Sequence, residues 1–298
     1  MAKLLKYIFA PLFLLVMLFA GAAQAQTTAL RLGQSLPLSG ALAELGTEYR
    51  DGMLAYFKVL NSRGGVHGRR IELVTLDDGY VVERSVENAK KLLDQEDVFA
   101  FIGMFGSANY GALIPLINER GIPSLAPYSG SDELRAQKAP TTFWLRASYG
   151  DESEKIVDQL TTLGIERIAV FYQNDAFGKA GLAGVELALV GIAISQVVPY
   201  PWSGTKPVVR EFMGLPKAFQ PAAGASYTTL EGYLAAKIMV EALNRAGPQA
   251  SRDKLLAALD SMRPYDTGGF TVSYSGKERL GSRFVEVTIV GNGGRLMH

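Results

Sequence analysis

The chain contains no cysteine, which excludes disulfides, thiolate nucleophiles, zinc knuckles and iron–sulfur clusters together. Histidine is scarce. His67 and His298 are the two present, too few for a multi-histidine metal site. Charge of one sign is lacking as well: 30 Lys and Arg stand against 29 Asp and Glu, so no overall positive field exists to displace counterions from nucleic acid. No G-x-S-x-G elbow provides a hydrolase serine. Gly103 and Gly106 lack the spacing of a dinucleotide fingerprint. No fixed-period repeat or low-complexity segment occurs, and beyond the amino terminus no apolar run is long enough to span a bilayer. The nearest, residues 187–198, carries Ser195 and Gln196.

What is present favours a packed, exported protein. Hydrophobic residues make up 48% and charged residues 20% of 298 positions, enough for a sizeable core in one large or two modest domains. Lys3 and Lys6 precede an almost unbroken apolar run over 7–20, and Ala23-Gln24-Ala25 follows with small residues at the two positions a signal peptidase reads. Such a run is shorter than the roughly 20 residues a membrane span needs, so residues 1–25 read as a secretory signal peptide with cleavage before Gln26. Without disulfides, the remainder fits a bacterial periplasm, where its core alone must stabilise it.

Along the rest of the chain, strands are expected at 30–35, 71–76, 98–102 and 122–126, and helices at 46–61, 85–95 and 107–119. Strands alternating with helices of this length imply βαβ units on a parallel sheet. Residues 129–140 read as polar loop and 142–146 as a short extended piece. A second series follows: helix 151–163, strand 167–171 and helix 177–189. Residues 199–225 are rich in Pro and Gly and read as poor in regular elements. A long helix over 227–246 stops at Gly247-Pro248, a shorter one follows at 251–261 with Ser251 as N-cap, and strands at 269–274 and 283–290 flank a Ser-Gly-Lys turn. The reading is α/β, with two Rossmann-like lobes.

Two loops carry the chemistry. Phe99 to Ser107 is a buried strand entering a glycine turn and a helix that opens at Ser107. Free N–H groups and the Ser107 hydroxyl there could hold a carboxylate or phosphate, or Ser107 could simply cap its own helix. Tyr128-Ser129-Gly130-Ser131 is a second hydroxyl-rich loop after a strand; in a parallel sheet both emerge where open α/β sheets bind ligands, though a Ser/Gly turn would need the same residues. Asp77-Asp78 could serve as base or metal ligand, or as solvated or capping acids, and no histidine accompanies them. His67 reads as an exposed turn residue. Trp144, Tyr149, Tyr172 and Phe177 would line a cleft or belong to ordinary core. No catalytic constellation and no cofactor motif emerges.

Taken in order, Leu36 to Gly40, Gly64 to Leu73, Phe101 to Ser107, Gly121 to Pro127, Asn174 to Gly178 and Ser226 to Tyr233 resemble the periplasmic branched-chain amino-acid-type (leucine/isoleucine/valine-binding-like) solute-binding proteins of ABC importers. The resemblance implies a type I periplasmic-binding-protein fold, two lobes joined by a hinge. Lobe one would span 26–146 plus 226–263, and lobe two 147–225 plus 264–298. It further implies no enzyme but a monomeric binder that captures a small carboxylate-bearing solute, an amino acid or related acid, and docks on an inner-membrane ABC permease. By position Phe105, Ser107, Tyr128, Ser129 and Gly130 would hold the ligand's carboxylate side, and Phe177 would face its side chain. Gly130 stands where the family often has Thr, and Leu45 where some members have an aromatic residue.

The same resemblance implies a shortened lobe two. Leu189-Val190-Gly191 joins segments that the family separates by two to three βα units, and no position inherits the acidic residue that pairs there with a ligand's ammonium group. Lobe one is expected to fold well and lobe two to be reduced. A ligand sensor of the same fold and a shortened paralogue that binds nothing are the alternatives; an exported hydrolase would require turnover dependent on Asp77, Asp78 or Ser107.

Overall fold

The protein is described by a computed structural model covering residues 29–164, 172–188, 194–274, 279–290 and 296–297. The expected leader at 1–25, the strand at 167–171, the join at 189–191 and the turn at 275–277 lie outside these residues.

Five short strands form the central sheet: β1 (Leu30–Leu36), β2 (Ile71–Asp77), β3 (Ala100–Ile102), β4 (Ser124–Leu125) and β5 (Thr142–Phe143). All pair in parallel in the order β2-β1-β3-β4-β5. The chain thus winds outward from β1 in one direction and then the other, leaving a crevice at the carboxyl ends of β1 and β3. Between the strands run α1 (Ala43–Ser62), α2 (Val82–Asp94), α3 (Ser107–Arg120) and α4 (Asp132–Ala136).

Alternation along the strands sorts the core into two layers. Ala100 and Ile102 join Leu30, Leu32, Tyr49 and Met53 on one face of the sheet; Phe101, between them, joins Leu92, Tyr110 and Ile117 on the other. The first layer is closed by α8 (Tyr227–Ala246), whose buried residues run from Thr228 to Leu243. α8 meets α1 backbone to backbone: a Cβ on Gly52 would lie 2.0 Å from the Thr229 carbonyl oxygen, and one on Gly232 2.1 Å from that of Tyr49. Only glycine permits that approach. α9 (Arg252–Asp260) follows, with Ser251 Oγ accepting from Lys254 N as its cap.

The second lobe is smaller among the described residues. It comprises α5 (Tyr149–Thr162), α6 (Ala176–Ala188) and an antiparallel sheet of β6 (Ile194–Gln196), β9 (Glu286–Val290) and β10 (Leu296–Met297) in the order β10-β9-β6. A hairpin of β7 (Tyr265–Asp266) and β8 (Thr271–Val272) precedes β9. Segments cross between the lobes at 146–148 and 279–285, and they are stitched together: Trp144 N donates to the Arg279 carbonyl and Gly281 N to that of Trp144, both at 2.8 Å.

Three expectations change. The loop at 129–140 contains α4, a five-residue helix capped by Ser131 and too short to show a helical period. Residues 199–225 carry α7 (Pro207–Met213) and a 3-10 turn, Lys217–Phe219. Val208, Val209 and Phe212 of α7 are buried in the layer shared with α8, so this element packs on lobe one. β3 begins at Ala100 rather than Val98, because the Arg252 guanidinium takes the carbonyls of Val98 and Phe99 at 2.9 and 3.1 Å.

Candidate ligand cleft

The two loops singled out from sequence lie side by side. Past β3 and β4 the pairing continues: Tyr128 N donates to the Met104 carbonyl at 2.8 Å and Gly106 N to the Tyr128 carbonyl at 3.2 Å, closing a parallel bridge between Phe105 and Tyr128. Their rings stack at 4.6 Å with planes 8° apart. Ser107 Oγ and Ser129 Oγ sit 2.8 Å apart, both residues buried. The structure therefore brings Phe105, Ser107, Tyr128 and Ser129 into one cluster.

Ser107 is not its helix's cap. Gly106 occupies that position with φ +92° and no side chain to offer, and Ser107 is the first helical residue, its hydroxyl turned to Ser129. The N–H groups of the first turn of α3 are consequently left without an intrahelical acceptor. The hydroxyl pair lies at the same helix start, where such N–H groups favour an anion.

Gly130 continues the cluster toward lobe two. A Cβ there would lie 2.5 Å from the Tyr149 ring, and Tyr149 N donates to the Gly130 carbonyl at 2.7 Å. The absent side chain is thus replaced in space by Tyr149, which in turn meets Phe177 edge to face at 5.7 Å. Phe177, on α6, keeps 45% of its surface exposed. Tyr80 closes the opposite side, 6.1 Å from Phe105 and packed where a Gly106 side chain would be. Burial raises its hydroxyl to about 12, with Asp175 and Tyr149 adding to the effect, so it is a neutral donor at physiological pH.

Behind Tyr128 lies a charge pair that no sequence motif announces. The Arg146 guanidinium stands 4.5 Å over the Tyr128 ring, and its Nε is 3.7 Å from Glu231 Oε1 on α8, an ion pair rather than a hydrogen bond. Burial pushes the Glu231 carboxyl upward; the positive charge of Arg146 opposes this without cancelling it. Glu152 Oε1 is buried nearby without a hydrogen-bond partner, while its Oε2 accepts from Ser195 Oγ at 2.5 Å. The sequence signal for this pair is weak: a charge ending the apolar run at 143–145, and an acid within the continuously buried stretch 228–236 of α8.

The remaining candidates are structural. Asp77 accepts from Leu38 N at 2.7 Å, Ser39 Oγ at 2.6 Å and Gly79 N at 2.9 Å. Slight burial works against its ionisation, but these hydrogen bonds outweigh it and hold the carboxyl below its usual 3.8. Asp78 is fully buried and takes Ser35 Oγ, Ser85 Oγ and Tyr80 N, which fixes Tyr80 with φ +64°. His67 is exposed, in contact with the Asn244 carbonyl. Trp144 is core, whereas Tyr172 is exposed. Among the described residues no cluster of three His, Asp or Glu could hold a metal.

A family model for periplasmic binding proteins matches residues 29–208. The amino acid binding protein of Pseudomonas aeruginosa is 27% identical over 170 residues, covering 56% of this chain and 45% of its own. Leu/Ile/Val-binding protein homolog 3 of Brucella melitensis is 27% identical over 237 residues, covering 78% of this chain and 61% of its own. This chain thus spans about half the length of the curated relatives it matches. The crystal structure of a possible leucine/isoleucine/valine-binding protein from Rhodopirellula baltica superposes with a TM-score of 0.83 at 24% identity, over 93% of this chain and 98% of that one.

Proposed function

The chain belongs to the periplasmic binding protein family, and on that premise we propose that it captures a small carboxylate-bearing solute, an amino acid or related acid, and delivers it to an ABC importer. The observation that carries this reading is the Ser107–Ser129 hydroxyl pair at the start of α3, beside the Phe105–Tyr128 stack. The hydroxyls and the free N–H groups of the helix start would take the carboxylate; Tyr80, Tyr149, Gly130 and Phe177 would enclose the rest. Binding would draw α6 toward α3 and α4 by hinge motion at 146–148 and 279–285, so the energy goes into closure and docking on the permease rather than into turnover. Residues 1–25 would direct the chain to the periplasm and be removed, and the protein would act as a monomer. Among the described residues no helix is long and apolar enough to cross a membrane, and the family is periplasmic.

Thermal unfolding of the purified protein, alone and with a panel of aliphatic and aromatic amino acids and small carboxylic acids, tests this reading. A ligand at 100 times its Kd adds about 2.7 kcal/mol, a rise of roughly 5–10 °C. We expect such a rise with at least one acid and its loss in Ser107→Ala. A cooperative melt that no compound moves would favour the second reading, a shortened paralogue without a ligand, which the direct join at Leu189-Val190-Gly191 suggests.

A further inference from the structure

Aromatic rings gather around the Ser107–Ser129 pair, while the carboxylates beside them are engaged elsewhere. Phe105 and Tyr128 stack, Tyr80 meets Phe105 edge to face, and Tyr149 packs over Gly130 and meets Phe177. These rings do not bury one another completely. Phe177 is an exposed large apolar side chain, and Tyr80, Tyr128 and Tyr149 are half-buried.

Among the described residues, the acids nearest these rings each have a partner or lie out of reach. Asp78 is buried and holds Ser35 Oγ, Ser85 Oγ and Tyr80 N. Glu231 lies behind Tyr128, paired with Arg146. Glu152 accepts from Ser195 through Oε2, and its Oε1 is closed off from solvent. Asp175 is close enough to raise the Tyr80 hydroxyl, but it caps α6, taking Gly178 N at 2.8 Å and Gln173 Nε2 at 2.5 Å.

The groups that remain are donors. Ser129 Oγ also accepts from Ser131 N at 3.2 Å; of the two hydroxyl hydrogens in the serine pair, one is spent between them and the other is left to donate. With the N–H groups at the start of α3 and the Tyr80 hydroxyl, these suit a carboxylate and provide no anionic acceptor for an ammonium group. An ammonium enclosed there would keep its desolvation cost without a charge-assisted hydrogen bond. The ring faces attract a cation, but the positive end of α3 opposes one at this place.

Resting on the carboxylate reading above, we infer that the cleft selects an aromatic carboxylic acid lacking an ammonium group, its carboxylate at Ser107 and Ser129 and its ring against Tyr149 and Phe177. A flat ring covers the exposed face of Phe177 and meets the tyrosines edge to face, contacts that a branched aliphatic chain does not reproduce.

Isothermal titration of matched compounds into the purified protein tests this. Hydrocinnamate and phenylalanine share a skeleton and differ by the ammonium group; hydrocinnamate and isocaproate differ by the ring; benzoate and phenylacetate cover shorter acids. At least one aromatic acid is expected to bind about tenfold or more tightly than both phenylalanine and isocaproate. Phe177→Leu, at an exposed position, should narrow the margin over isocaproate by about threefold or more. If phenylalanine or isocaproate binds as tightly as the aromatic acids, or if Phe177→Leu leaves the margin unchanged, the inference is overturned while the carboxylate reading stands. If none of the compounds binds, both are overturned.

Discussion

Asp77 holds the turn after β2 with hydroxyl and backbone donors alone, and that makes its contribution depend on pH in one direction. Its folded-state carboxyl is more acidic than the usual 3.8, so the unfolded chain binds the proton more readily. Stability from this group is complete above that value and is lost as pH falls through the folded one. In melting curves from pH 6 to pH 3, Asp77→Asn should therefore lie below the wild type at pH 6 and approach it at pH 3; a gap that stays constant would mean the carboxylate's charge is irrelevant. At this scale the sequence is informative where a residue's place follows from its element. Phe105, Ser107, Tyr128 and Ser129 come together because loops at neighbouring strand ends must. Arg146 with Glu231 stays hidden, since 85 residues separate partners that meet only across the finished fold. For Ser107 the sequence leaves two roles open, and the cap is the one the structure removes, because Gly106 holds that position.

Among elements, the contact between α1 and α8 is the tightest joint in the larger lobe. Because a methyl group on Gly232 would stand 2.1 Å from the Tyr49 carbonyl oxygen, Gly232→Ala must push two helices apart. Overpacking of this kind costs about 3 kcal/mol or more. For a chain of this size the melting temperature should fall by roughly 6–12 °C; an unchanged melting temperature would show that the helices can separate freely. Elements of ten residues or more are legible in the sequence, α8 to the residue, because several turns repeat one apolar stripe. Those of five to seven residues, α4 and α7, are not: two turns or fewer give no period, and only the packing of Val208, Val209 and Phe212 against α8 makes α7 stable.

At the scale of the molecule the two lobes differ, among the described residues, in how much apolar side chain they bury. Both core layers are built mainly from β1–β5, α1–α3 and α7–α9, with Leu134 of α4 and Val272 of β8, whereas within 149–196 Leu160 is the one large apolar side chain buried among the described residues. Native-state hydrogen exchange should accordingly show α5 and α6 opening at free energies well below that of α8, with amides exchanging about a hundredfold faster or more. Equal protection in both lobes would contradict this account. A parallel sheet can be foreseen from strand and helix alternation; which late segments complete it cannot, because no local pattern announces that Leu280 will lie beside Trp144.

That late stitch, with α8, sets the timetable of biosynthesis. A nascent chain ending at residue 220 already contains all five central strands, yet it lacks the helix that covers one face and the segment that borders β5. Such an intermediate exposes apolar surface until α8 and the segment around Leu280 have left the ribosome. Chaperones that hold unfolded chains have that interval in which to engage it before the first lobe can close.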